Sequence, residues 1–251
     1  MANEIQLKFG TFTLDNGAAY CVDDIQISEK KNVSTHEIPK TDGEIAEEAK
    51  RKAITITVTG TIGGADYDAL RTLIDAMNAA VHGGIQKFTM DDDRYIKAQV
   101  DSFRKKWITF RTLASFEINI TAHYPFFLAE TPSVSDTTPT STVGYTITNN
   151  GNAPARVKIE ITPSAEMADE CKIENQTNGK SFQYRGTVAA TEKLEIDNFY
   201  DGDEFQVLND GADDIENFEG DFITLEPGDN TIVFTGTAST NVVITHRDTW
   251  Y

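Results

Sequence analysis

The chain has 251 residues, 39% of them apolar, with 22 Lys+Arg against 40 Asp+Glu and a net charge of −18. That length suits two domains, and the acid excess disfavours nucleic acid or anionic lipid as a general partner, since both are held through basic patches. No uncharged apolar run nears the ~20 residues that cross a bilayer, so no membrane insertion is expected.

The opening stretch MANEIQLKFGTFTL has neither the basic flank nor the apolar segment of a signal peptide. Cys21 and Cys171 stand far apart in no metal-like spacing, and two free thiols of a protein made in a reducing cytosol are expected. Asp15-Asn16-Gly17 gives the first turn.

The segment around 33–52 is the first irregularity. Residues 40–52, KTDGEIAEEAKRK, hold four acids and four bases between two strand-like runs. Glu47/Arg51 and Glu48/Lys52 are spaced to support a helical turn; a hairpin with a long charged loop fits as well. Either is longer than a sheet requires. A polar arm of this length is a candidate for reaching a neighbouring chain.

Ile54, Ile56 and Val58 then alternate with Thr55, Thr57 and Thr59, as in a half-buried strand. From Asp66 to His82 the period changes. Leu70, Leu73, Ile74, Met77 and Val81 form one helical stripe, which Asp66 can cap and Gly83-Gly84 can end. Phe116, Ile118, Ile120, Ala122 and Tyr124 return to alternation.

Residues 131–143, TPSVSDTTPTSTV, contain eight Ser or Thr and two Pro, which reads as a linker at 131–142. The charge changes there too. Residues 1–130 carry 15 bases and 19 acids, net −4; residues 131–251 carry 7 and 21, net −14.

Beyond it, Val157, Ile159 and Ile161, then Val242 and Ile244, alternate again. Turn signals fall at Asn149-Asn150-Gly151, Asn178-Gly179 and Pro227-Gly228-Asp229-Asn230. The expected fold is mainly β: residues 1–130 with one helix and an arm, residues 143–251 as one compact antiparallel β-sandwich.

Catalytic patterns are missing. There is no GxSxG, Walker loop, HExxH or CxxC, and His36, His82, His123 and His246 lie in four separate segments. Residues 197–221 hold ten acids in 25 positions, but not at the spacing of an EF-hand loop. Asp91-Asp92-Asp93 reads as a polar turn. No catalytic residue, metal or cofactor is expected. Trp107, Tyr184, Tyr200 and Trp250 are candidate sugar-stacking aromatics, with sheet packing as the competing role.

Three stretches together resemble the distal tail proteins of siphophages of Gram-positive hosts. They are His36-Glu37-Ile38-Pro39 with Asp42-Gly43 and Arg51 leading into ITITVTGTI; the helix followed by SFEINITAHYPFF; and LEPGDNTIVFTGTASTNVVITHRDTWY, with Leu225, Pro227, Gly228, Asn230, Arg247 and Trp250 at its marked positions.

The resemblance implies a structural baseplate-hub protein at the virion tail tip, made in the host cytoplasm. Residues 1–130 would form a hexameric ring, single or stacked, in which an arm bearing Ile38, Pro39, Asp42, Gly43 and Arg51 clasps the next subunit. Residues 143–251 would be a galectin-like sandwich. Implied partners are the tail-tube protein, a tail-associated lysin or fibre protein, and the tape-measure protein, with no catalysed reaction. The alternative is a carbohydrate-binding protein recognising host cell-wall glycans through Tyr184, Tyr200 or Trp250.

Overall fold

The computed structural model describes residues 7–32, 35–37, 44–46, 50–90, 93–109, 112–138, 144–168, 171–198, 205–236 and 240–251. Contacts divide the chain into two units, Met1–Phe127 and Leu128–Tyr251.

The first unit contains β1 (Lys8–Phe9), β2 (Phe12–Thr13), β3 (Tyr20–Ser28), β4 (Lys31–Asn32), β5 (Thr35–Glu37), β6 (Glu44–Ala46), β7 (Lys50–Arg51) and β8 (Ile54–Gly63). Helix α1 (Tyr67–Val81) follows, then β9 (Gln86–Thr89), β10 (Arg94–Thr109) and β11 (Leu113–Ala122). Its main sheet is antiparallel in the order β2-β1-β9-β10-β11-β8-β3. In the 16-residue β10, Tyr95–Ala98 pair with β9, and residues from Gln99 to Thr109 pair with β11.

Period-two alternation decides which face is buried. β11 and β8 pair from Leu113↔Gly63 to Ala122↔Ile54. That register sets Ile54, Ile56, Val58 and Ile62 beside Ala114, Phe116, Ile118 and Ile120 in one core, which also takes Phe9, Phe88 and Ile96 from the other half of the sheet. Helix α1 closes this core with Leu70, Ile74, Met77 and Val81. The Asp66 carboxylate accepts from the Ala69 N–H at 2.8 Å, satisfying an orphan donor of the first turn, and Gly84 takes φ +76° just past the helix.

The charged segment resolves as a hairpin rather than a helical turn. Lys31 and Asn32 pair with Arg51 and Lys50, and Thr35–Glu37 pair with Glu44–Ala46. Glu47 and Glu48 lie outside the described residues, and such spaced pairs are worth only ~0.3–0.5 kcal/mol each, little to set against strand pairing on both sides.

The second unit consists mainly of two antiparallel sheets. One runs in the order 133–137, 240–246, 155–163, 194–198, 205–209, 212–213; the other runs 145–149, 228–235, 171–175, 180–184, 218–220. They share one core, with Val157, Ile159, Ile161, Ile196, Val242 and Ile244 from the first and Ile147, Ile173, Phe182, Ile232 and Phe234 from the second.

The expected linker at 131–142 differs from the structure. Ser133–Thr137 is the edge strand of the first sheet, paired from Ser133↔His246 to Thr137↔Val242. An edge strand needs little apolar surface, and Thr and Val suit extended backbone. Polar composition alone could not separate it from a connection. Residues 139–143 lie outside the described ones.

One glycine in the first sheet is fixed by packing. Gly60 faces Phe116 across the strands, and a Cβ there would come within 2.3 Å of the Cys21 carbonyl oxygen and 2.7 Å of the Phe116 ring. Gly60→Ala is therefore expected to lower stability by about 1–3 kcal/mol through overpacking, read as a reduced urea midpoint. An unchanged midpoint would remove this constraint.

Candidate functional site

The arm candidates are only partly placed. Ile38, Pro39, Asp42 and Gly43 lie outside the described residues. Arg51 sits at the arm's base, its Nη1 3.3 Å from a Glu29 carboxylate oxygen and its guanidinium 6.0 Å from the centre of the Phe126 ring. It ties β7 back to its own unit.

The proposed sugar-stacking aromatics do not form a platform. Tyr184 is fully buried, and its hydroxyl donates to the Asp214 carboxylate. Burial first, then that carboxylate, push its pKa well above the usual phenol value. A Cβ at Gly186 would collide with its ring, so no face is open to a glycan. The strand pattern around Tyr184 allowed both roles, and inward register decided for the core. Tyr200 lies outside the described residues, and Trp250 is half-buried in a two-residue strand at the C-terminus. Trp107 is 39% exposed and stacks on Tyr67 at 5.8 Å.

The most organised polar constellation lies in the second unit, where it includes three of the turn asparagines, Asn149, Asn178 and Asn230. Three strands of the second unit end alike: Ile147-Thr148-Asn149, Ile173-Glu174-Asn175 and Ile196-Asp197-Asn198. Alternation turns each isoleucine and each asparagine inward, and all six are buried. A buried amide must find partners, and these find the backbone of residues 223–226.

Asn198 Nδ2 donates to the Ile223 carbonyl (3.1 Å), and Asn175 and Asn178 donate to Thr224 (2.8 and 3.0 Å). Asn149 donates to Leu225 (3.2 Å) and Asn230 to Glu226 (2.8 Å). Four successive carbonyls thus receive side-chain amides. Asn230 also accepts from the Glu226 N–H and from Asn175, and donates to the Gly228 carbonyl, closing the Pro227-Gly228 turn. The repeated Ile-x-Asn was the signal available in the sequence.

The last residues are fixed in the same way. Arg247, 8% exposed, donates to the carbonyls of Ala129 and Glu130. Asp248 accepts from the backbone N–H and side-chain amide of Asn150 at 2.9 and 3.0 Å. Gly151 packs so closely on Thr249 that a Cβ would lie 1.9 Å from its carbonyl oxygen.

His246 is buried, with Nε2 3.2 Å from the Thr148 carbonyl and 3.5 Å from Asp248. Burial lowers its pKa below 6.5 more than Asp248 and Thr148 raise it. Cys21 and Cys171 are free thiols, and burial pushes Cys171 up to about 12, far from a nucleophilic thiolate.

Among the described residues, no three His, Cys, Asp or Glu are grouped to hold a metal, and no helix is long and apolar enough to cross a membrane.

Two stability measurements check these placements. Asn230→Ala strands the Glu226 N–H and two carbonyls, at about 1–3 kcal/mol for each unsatisfied buried group. Its melting temperature should fall markedly, while replacing an exposed turn residue away from this network, such as Thr11, should cost little. For His246 the lowered folded pKa makes the unfolded chain take up the proton first. Stability should be fully present above pH 6.5 and decline as the pH falls through the folded pKa. Urea midpoints from pH 7.5 to 5 read this slope, which His246→Asn should flatten.

Residues 150–250 match the family model of the siphovirus-type tail component, C-terminal domain, and residues 10–87 match that of the DNA circularisation protein N-terminus. No curated protein matches the chain in sequence. Among solved structures, the chain is similar to Dit (gp 19.1) of phage SPP1, described as a paradigm of the hub adsorption apparatus in phages infecting Gram-positive hosts. The identity is 15% and the TM-score 0.71, over 96% of this chain and 97% of that one.

It is also similar to chains of the phage p2 baseplate in its activated conformation. With Ca the TM-score is 0.52 at 8% identity, over 93% of this chain and 92% of that one; with Sr it is 0.53 at 10%, over 96% and 97%. At such identities the likeness is one of fold. The second unit thus matches a siphovirus-type tail-component domain, and the chain along its length has the fold of these hub proteins.

Proposed function

We propose that this protein is the hexameric hub that joins a phage tail tube to the host-adsorption apparatus. The observation that carries the reading is the hub fold extending over 96% of the chain together with a tail-component domain in the second unit. In this reading the first unit, reaching to about residue 130, builds the ring, single or stacked, and the hairpin of residues 31–51 grips the adjacent subunit. The second unit serves as a galectin-like sandwich projecting from the ring. The tail-tube protein, a lysin or fibre protein and the tape-measure protein are its neighbours, and no reaction is catalysed.

The match of residues 10–87 to a DNA circularisation model does not move the reading to nucleic acid. Residues 1–130 carry a net −4 and the chain −18, whereas phosphate binding grows with the number of cations that replace counterions. Direct glycan recognition is weakened by the burial of Tyr184.

Light scattering on the purified chain should give six or twelve times 27.7 kDa, alone or with a tube-protein partner. Deleting residues 40–50 should weaken assembly while leaving the second unit folded. A protein that stays monomeric at high concentration in both settings overturns the ring; undiminished assembly of the deletion variant overturns the role of the arm.

A further inference from the structure

We infer that the exposed end of β10 is a docking surface for the acidic face of the second unit of another copy of this chain. This rests on the assembly reading above and names the surfaces that a contact between copies would use. β9 stops pairing at Ala98↔Gln86, and β10 runs on through Arg104-Lys105-Lys106-Trp107-Ile108, every residue of which is exposed. Trp107 is 39% and Ile108 54% exposed, and Trp107 stacks on the exposed Tyr67. Arg104 has Glu117 beside it at 3.5 Å, and Lys105 lies 5.7 Å above the Phe103 ring. The result is three successive cations next to exposed apolar area, in a chain of net −18.

The second unit carries the complement. Phe205 is 51% and Ile215 45% exposed. Phe205 heads a file of rings leading inward, to Phe222 at 4.7 Å, Phe218 at 4.6 Å and buried Phe182 at 5.2 Å. Asp213, Glu216, Glu219 and Asp221 of the neighbouring stretch are exposed, Glu219 with Arg185 at 2.7 Å. Both stretches therefore combine exposed apolar side chains with charges, of opposite sign.

Interfaces concentrate their binding energy in buried aromatic anchors, and rim charges steer and select the partner. A nucleic acid is the weaker occupant for β10: three cations, one already beside a carboxylate, replace few counterions, and the rest of the chain repels phosphate. Acidic second units would repel one another while each is drawn to a basic first-unit strand.

Light scattering of the full chain against concentration, at low and high salt, tests the contact. Lys105→Glu with Lys106→Glu should weaken association about ten-fold or more at low salt, with a smaller effect at high salt. Glu216→Lys with Asp221→Lys should weaken it likewise. Combining all four restores opposite charges and should recover association, which a misfolded protein would not do. Wild-type assembly with either pair having no effect overturns this contact alone, as does loss without recovery in the fourfold variant. A monomeric wild type overturns the assembly reading and the contact with it.

Discussion

Four consecutive carbonyls, from Ile223 to Glu226, pass through the second unit where no neighbouring strand pairs with all of them, and asparagine side chains supply their donors. A buried carbonyl without a donor loses the water it had in the unfolded chain. The asparagines therefore decide where this crossing can run, and they come from strands of both sheets. Through the same residues the crossing fixes the Pro227-Gly228 turn and the start of the long strand Gly228–Thr235. The edge of the Ala155–Pro163 strand depends on it too, because Ala155 and Arg156 pair with Leu225 and Thr224.

The first unit solves a different problem. Its apolar faces are filled by alternation and closed by one amphipathic helix, so its core needs few polar devices. What distinguishes it is the pairing of β4 with β7 and of β5 with β6, and a strand, β10, that continues past β9 along β11. The last part of β10, from Arg104 to Ile108, is exposed.

Charge follows the same division. The net charge is −4 over residues 1–130 and −14 over residues 131–251, so like-charge repulsion is concentrated in the second unit. On the Ala155–Pro163 and Leu194–Asn198 strands, acids and bases instead cluster locally. Lys193 lies 2.7 Å from Glu160 and 2.8 Å from Glu195, and Lys158 lies 3.0 Å from Glu195. Hydrogen bonds to Glu160 and Glu195 raise the Lys193 pKa. Burial pushes Glu195 up, but the two lysines prevail and lower it. On this half-exposed face the pairs set register more than stability.

Alternation, helical period and turn chemistry are local properties. The mainly β class, the helix with its Asp66 cap, the strands at Ile54 and Phe116, and the turn at Pro227-Gly228 are therefore legible in the order of residues alone. That order also carried the resemblance to distal tail proteins through Arg247 and Trp250, although the reason for Arg247, its grip on the carbonyls of Ala129 and Glu130, needs contacts more than 110 positions apart.

Only the tertiary structure decided that Tyr184 is core, that Ser133–Thr137 is a strand, that the charged segment is a hairpin, and that Ile-x-Asn marks an inward amide. Each of those depends on which distant strand lies alongside, and a pattern of period two records that a residue faces inward without recording what it will meet there.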